Sequence, residues 1–217
     1  MIIDIAITSD FICPWCFIGE RRLARALAYL PDGTEVALQW KPFELNPGMP
    51  AEGVERRTYR TQKFGSWERS RQLDAQVMAA ASDDGIAFDY DAMTRTPNTF
   101  AAHRLMQLAQ REGVATALAQ ALFAAYFEQG RDLGDAATLA DLAAQAGLDR
   151  AAALAYLAGD DGSDAVRAAE REGMARGIRG VPLFDIGGEV VSGAQPLEVF
   201  VLALQRAFDR ASQPATA

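Results

Sequence analysis

The 217-residue chain holds two cysteines, Cys13 and Cys16, with Pro14 and Trp15 between them in the stretch SDFICPWCFIGERRL, residues 9–23. A pair at this spacing could hold a metal, staple the chain or exchange electrons. Structural zinc takes four Cys or His ligands. The chain offers these two cysteines and a single histidine, His103, so no metal is expected. A disulfide that closes so short a loop removes little chain entropy, and permanent disulfides are rare in reducing compartments. Electron exchange is the remaining use.

That use depends on where the pair sits. Ile2–Thr8, IIDIAIT, is rich in isoleucine and partly alternating, which predicts a buried strand. After the cysteines, FIGERRLARALAYL brings Phe17, Leu23, Leu27 and Leu30 onto one helical face. Pro31-Asp32-Gly33 ends that helix. Cys13 therefore falls at a strand-to-helix junction with Pro14 at the first helical position, where proline's missing N–H costs nothing. The free amides and positive end of the helix favour a thiolate at Cys13. Cys16, three residues on, shares its face and is within reach of a mixed disulfide formed there. Cys13 is thus expected to attack and Cys16 to resolve.

EVALQWKPFEL predicts a second strand, with Trp40, Phe43 and Leu45 expected in the core. From about 59 to about 176 nearly everything is helical in pattern, with abundant alanine and few β-branched residues. Thr96-Pro97 reads as an N-cap and first helical residue, and Gly113 as the end of that helix. Further helices are expected near 114–129, 135–146, 149–158 and 163–176. VPLFDIGGEVVSG then reads as two strands around Gly187-Gly188, a pair suited to a two-residue hairpin turn. A final amphipathic helix follows Pro196. The order is β-α-β, a helical block, then β-β-α. This is an α/β chain on the thioredoxin plan with a large all-helical insertion. The expected division is residues 1–58 and 177–212 for the thioredoxin-like part, 59–176 for the insertion, and a disordered tail at 213–217.

The second half of the site should come from RGVPLF, the loop before the third strand. Sequence pattern alone leaves the Val181-Pro182 bond open between cis and trans, since proline is also common at the start of a strand. With C-x-x-C in place on this plan, a cis Pro182 is expected, presenting the backbone of Val181 to an extended substrate.

The chain resembles the DsbA family of thioredoxin-fold oxidoreductases, and within it the FrnE-like branch. The resemblance is carried by SDFICPWCFIG (9–19), WKPFELNPGMPAEG (40–53), PNTFAAHRL (97–105), GVPLF (180–184) and SGAQP (192–196), in family order over nearly the whole chain. It implies thiol–disulfide oxidoreductase or isomerase activity, no cofactor beyond the redox-active pair, and a cleft faced by Asn98 and His103. Where DsbA proper has Pro-His between its cysteines, this chain has Pro-Trp. An indole offers a thiolate no positive charge, so the pair is expected to be less oxidising. The resemblance extends to 2-hydroxychromene-2-carboxylate isomerases and kappa-type glutathione transferases, which carry serine where this chain has Cys13. Glutathione is therefore a candidate co-substrate. A third reading makes the insertion a holdase-like peptide-binding surface.

Several residues have two readings. His103 is either a proton shuttle or a packing histidine. Trp15 is a lid or a substrate contact. Asp4 and Lys41 are either a charged pair beneath the cysteines or ordinary strand-end charges, and the second reading is the stronger. The expected partner is a disulfide-containing protein or a small thiol or disulfide. The net charge of -8 and the absence of a long basic patch argue against nucleic acid and anionic lipid. TLADLAAQAGLDRAAALAYL has helix-turn-helix rhythm but no basic face. No segment approaches the ~18 apolar residues of a membrane span, and the N-terminus lacks the pattern of a secretory leader. A cytoplasmic protein is expected.

Overall fold

The computed structural model describes residues 2–212, and the tail expected to be disordered lies outside them. Strand β1 (Ile2–Ser9) buries Ile3, Ile5 and Ile7. Burying each is worth about 2 kcal/mol, and a one-residue slip would turn all three to the other face. β1 pairs in parallel with β2 (Glu35–Pro42), placing Ile7 opposite Trp40. On its other side it pairs antiparallel with β5 (Leu183–Ile186), placing Ile7 opposite Phe184. β6 (Glu189–Ser192) completes the sheet in the order β2-β1-β5-β6. Gly187 and Gly188 both have positive φ, 56° and 89°, as a two-residue turn between β5 and β6 requires.

Helices α1 (Pro14–Leu27) and α9 (Leu197–Ser212) pack together against the sheet. Their contact with β5 is close. Phe184 meets Phe200 edge-on at 4.9 Å, and Gly19 lies so near that a Cβ there would come within 2.7 Å of the Phe184 ring and 3.4 Å of Pro182. Because Phe184 is fully buried, its ring has little room to yield. Gly19→Ala should therefore cost about 1–2 kcal/mol through overpacking, despite alanine's better helix propensity. Denaturant midpoints of the two proteins measure this; a more stable variant would contradict it.

Between β2 and β5 lie β3 (Val54–Glu55), α2 (Arg56–Phe64), α3 (Trp67–Ala80), β4 (Arg95–Thr96), α4 (Phe100–Arg111), α5 (Ala115–Phe127), α6 (Ala136–Gln145), α7 (Arg150–Ala158) and α8 (Ser163–Ala175). This is a thioredoxin fold with a helical insertion. The core does not divide where the topology does. One continuous cluster joins Ile5 and Phe184 of the sheet to Phe17 of α1 and to Phe123 and Phe127 of α5. Trp40 bridges them: its ring lies 6.4 Å from Phe123, its indole N–H donates to Thr116 Oγ1, and its backbone N–H donates to Gln110 on α4. That last bond closes part of the outer edge of β2, which would otherwise be open to pairing.

Two expectations need correcting. Thr96-Pro97 does not start a helix. Thr96 pairs with Val54 in the β3–β4 ladder, and α4 begins at Phe100, whose N–H is accepted by Asn98 Oδ1 at 2.8 Å. The ladder needs Gly53 (φ 69°), since a Cβ there would stand 2.7 Å from Thr96 O. Residues 59–176 are mostly helical, as expected, with loop and β4 between α3 and α4. Leu45 is not core: it is 36% exposed. Asp4 and Lys41 are both exposed and face Ala37 and Thr8 in the register rather than each other.

Candidate active site

Cys13 is the N-cap of α1, with extended backbone (φ −94°, ψ 111°), and Pro14 is the first helical residue. Its carbonyl accepts from the N–H groups of Cys16 (3.0 Å) and Phe17 (3.4 Å), and its own N–H donates to Asp10 O at 3.1 Å. No acidic side chain lies in the first turn of α1, so nothing there opposes a thiolate at the positive helix end. The Val181–Pro182 peptide is cis. Cys13 Sγ donates to Val181 O at 3.8 Å, so the loop before β5 lies directly against the sulfur. Both cysteines are free thiols and both are buried.

The two sulfurs differ in surroundings. The Cys16 thiol is pushed well above the ordinary thiol range, chiefly by burial and further by the neighbouring Cys13. The Ser9 hydroxyl and the Asp10 backbone amide act the other way. Cys13 instead lines an open pocket of about 340 Å³ with Pro14, Trp15, Leu45 and Val181. A larger groove of about 460 Å³ lies between the sheet and α8, but neither cysteine lines it, so the smaller pocket is the candidate site. Trp15, 40% exposed, stands at its edge.

The opposite wall comes from α2 and α3. Arg56, Arg60 and Lys63 recur at four- and three-residue spacing, which puts them on one side of α2, and all three line the pocket with Asp74 of α3. Asp74 is shared. Its Oδ2 accepts from Arg56 Nη2 at 2.7 Å and its Oδ1 from Arg60 Nη2 at 2.5 Å. Arg56 is 3% exposed and also lies over the rings of Trp67 and Tyr90. Burial raises the pKa of the Tyr90 phenol, which keeps it neutral. Lys63 Nζ donates to Tyr59 OH, which donates to Asn46 Oδ1 at 2.6 Å. The pocket is thus apolar near the cysteine and positively charged on the far wall.

Cys13, Pro14, Trp15 and Val181 line the same pocket, whereas Cys16 and Pro182 are buried and do not line it. Asn98 and His103 do not line it. Asn98 spends both ends of its amide internally, donating to Met49 O and accepting from Phe100 N. His103, 2% exposed, lies behind the cysteine loop, its Nε2 3.5 Å from Asp10 Oδ1 and its ring 5.1 Å from that of Phe11. The α2 cations were readable as a helical row. Asp10 and Ser9 carried a weaker signal: two polar residues closing an apolar strand just before a cysteine.

The chain thus joins a thioredoxin fold with a helical insertion to a C-x-x-C at a helix start and a proline loop against the first sulfur. The chain belongs to the family of DSBA-like thioredoxin domains, whose model matches residues 4–205. Among solved structures it is similar to a probable DsbA oxidoreductase, SCO1869, from Streptomyces coelicolor. The two share 37% identity and a TM-score of 0.86, covering 99% of this chain and 93% of that one. A 2-hydroxychromene-2-carboxylate isomerase shares the fold at 17% identity and a TM-score of 0.71, covering 98% of each chain. So does the cytosolic disulfide reductase DsbM from Pseudomonas aeruginosa, at 18% identity and a TM-score of 0.67, covering 95% of this chain and 99% of that one. No helix among the described residues is long and apolar enough to cross a membrane.

Proposed function

We propose that this protein is a thiol–disulfide oxidoreductase or isomerase in which Cys13 attacks a substrate disulfide and Cys16 resolves the mixed disulfide. The observation that carries the reading is the unequal placement of the two sulfurs. Cys13 is the N-cap at the wall of a pocket, against Val181 O, while Cys16 is sealed behind it. An extended substrate would lie across Val181 and Pro182 with Trp15 as an apolar contact. The substrate is a disulfide-bearing protein or a small disulfide, and the redox pair needs no further cofactor.

The direction we assign is reduction or isomerisation. Trp15 gives the Cys13 thiolate no cationic partner, and a reduced form that is less stabilised makes a less oxidising disulfide. The kinship with a cytosolic disulfide reductase supports a cytoplasmic setting, in which the glutathione pool would drain a strong oxidant. Trp15→His should make the pair more oxidising by tens of millivolts, about 30 mV for each tenfold change in the exchange constant. Equilibration with glutathione buffers reads this, and a potential that falls or stays fixed would contradict it.

The competing reading is a glutathione-dependent isomerase or kappa-like transferase. It is favoured by the likeness to the 2-hydroxychromene-2-carboxylate isomerase and by a pocket with three cations and one carboxylate. An intact C-x-x-C favours dithiol work. Insulin reduction and scrambled-ribonuclease reactivation by the wild-type protein, run beside glutathione turnover on small electrophiles, separate the two. Activity on the protein disulfides is expected; glutathione turnover alone would reverse the assignment.

A further inference from the structure

The pocket beside Cys13 carries a charge opposite to that of the protein. The chain's net charge is -8, a field that slows the approach of an anionic substrate. Yet three cations, Arg56, Arg60 and Lys63, line the pocket against one carboxylate, Asp74. Three positive charges less one negative leave a formal +2 in the same pocket as the Cys13 thiol. The inference rests on the dithiol reading above and concerns which disulfides Cys13 accepts.

The three cations are held differently. Asp74 binds Arg56 and Arg60 at once, and Arg60 is tied further to the Ser70 hydroxyl, so both guanidiniums are fixed in place. One carboxylate shared between two guanidiniums neutralises only one of them. Lys63 is exposed and meets no carboxylate among the described residues. Its ammonium donates to Tyr59 OH at 2.7 Å and lies over the rings of Tyr59 and Phe64. From Arg56 to Lys63 the row rises about 10 Å along α2. Much of the remaining wall is apolar, with Trp15, Leu45, Leu73, Val77 and Phe127, and low-dielectric walls focus the field between them. Tyr90 also lines the pocket, and its buried phenol oxygen has no hydrogen-bond partner among the described residues. Burial keeps that phenol neutral, so it is a donor without an acceptor.

We propose that the α2 row makes Cys13 selective for disulfides that carry negative charge, with Lys63 as the residue that sets the preference. An anionic group on the substrate faces Lys63 and Arg60 while its apolar part lies against Trp15 and Leu45. The Cys13 thiolate attacks one sulfur. The bond from Cys13 to that sulfur forms as the substrate S–S bond breaks, and the other half leaves with the electron pair of the broken bond, as a thiolate that takes a proton from solvent. The half that stays on Cys13 is held by the cations until Cys16 displaces it. A pocket of about 340 Å³ admits a small disulfide, or the side chains that flank a cysteine in an acidic peptide; both present the same chemistry to α2.

The test is stopped-flow exchange of the reduced full-length protein with two aromatic disulfides, the dianionic 5,5′-dithiobis(2-nitrobenzoate) and the neutral 4,4′-dithiodipyridine. Each rate is divided by that of free 2-mercaptoethanol with the same disulfide, which removes intrinsic reactivity. The wild type is expected to favour the anion by about tenfold or more at low salt. Salt at about 1 M should remove most of that preference, because the screening length falls to about 3 Å. Lys63→Glu should lower the preference by about tenfold and Lys63→Gln by about threefold. Arg57→Gln, on the same helix but outside the pocket, should leave it within about twofold. A structural Lys63 would instead show a lower Tm with the preference unchanged. Two hairpin peptides, their disulfides flanked by aspartate or by lysine, separate the sources. A preference for the aspartate peptide as well extends the selection to acidic polypeptides, and a preference confined to the small disulfides restricts it to small molecules. Equal normalised rates for both charges in both arms, or a preference untouched by Lys63→Glu, overturn the proposal. Insulin reduction by the wild type reports separately on the dithiol reading, so the two can fail independently.

Discussion

Cys13→Ser should reduce insulin turnover to the uncatalysed background, the largest functional loss of any single substitution in this protein. A serine hydroxyl does not ionise near neutral pH, and the thiolate is the nucleophile in exchange. Cys16 cannot take over. It is buried, its thiol is pushed well above the ordinary range, and Val181 O, on which the substrate would register, lies against Cys13. Cys16→Ser should behave differently. Attack survives, resolution does not, and turnover stalls on a covalent intermediate. Turbidity with dithiothreitol as reductant, run on both variants, checks this; equal residual activity in the two would contradict unequal roles. A holdase role for the helical insertion, by contrast, predicts aggregation suppression that survives loss of both cysteines.

The second large effect is on stability. Asp74→Ala should cost about 3–5 kcal/mol, because it leaves the buried Arg56 guanidinium uncompensated and deprives Arg60 of the same partner. In a domain of this size that is a fall in Tm of roughly 6–20 °C. The double variant Arg56→Met/Asp74→Leu removes more of the native network and should nonetheless lose less, since a buried pair replaced by apolar side chains of similar size is often neutral. Arg60 tolerates the change because it is better exposed and also donates to Ser70 Oγ at 2.6 Å. Calorimetry on the single and double variants reads the difference. A double variant less stable than the single would show that the cations and carboxylate contribute net stability as a set.

What could be read from the chain alone was what short-range chemistry decides. Pro14 after Cys13 marks a helix start because proline suits only the first turn. Gly187-Gly188 marks a hairpin because two consecutive positive φ angles admit little else. Together they place the C-x-x-C and the Val181-Pro182 loop on a recognisable plan. The misses were long-range. Thr96 has the chemistry of an N-cap, but Val54, forty-two positions earlier, draws it into a ladder. Leu45 looks like core until α2 is seen standing across a pocket from it. Asp10 and His103 meet only because the loop after β1 and the helix α4 pack together, and nothing in either local sequence records that meeting. The same holds for Arg56 and Asp74.

The measurement nearest the central claim is the intact mass of Cys16→Ser after incubation with a disulfide-bonded peptide, followed by peptide mapping. The account predicts one half-peptide per chain, attached at Cys13, stable until dithiothreitol is added, and absent from Cys13→Ser. A Cys16→Ser protein that stays folded and unmodified, while Cys13 still reacts with iodoacetamide, would show that Cys13 is accessible but does not exchange with disulfides.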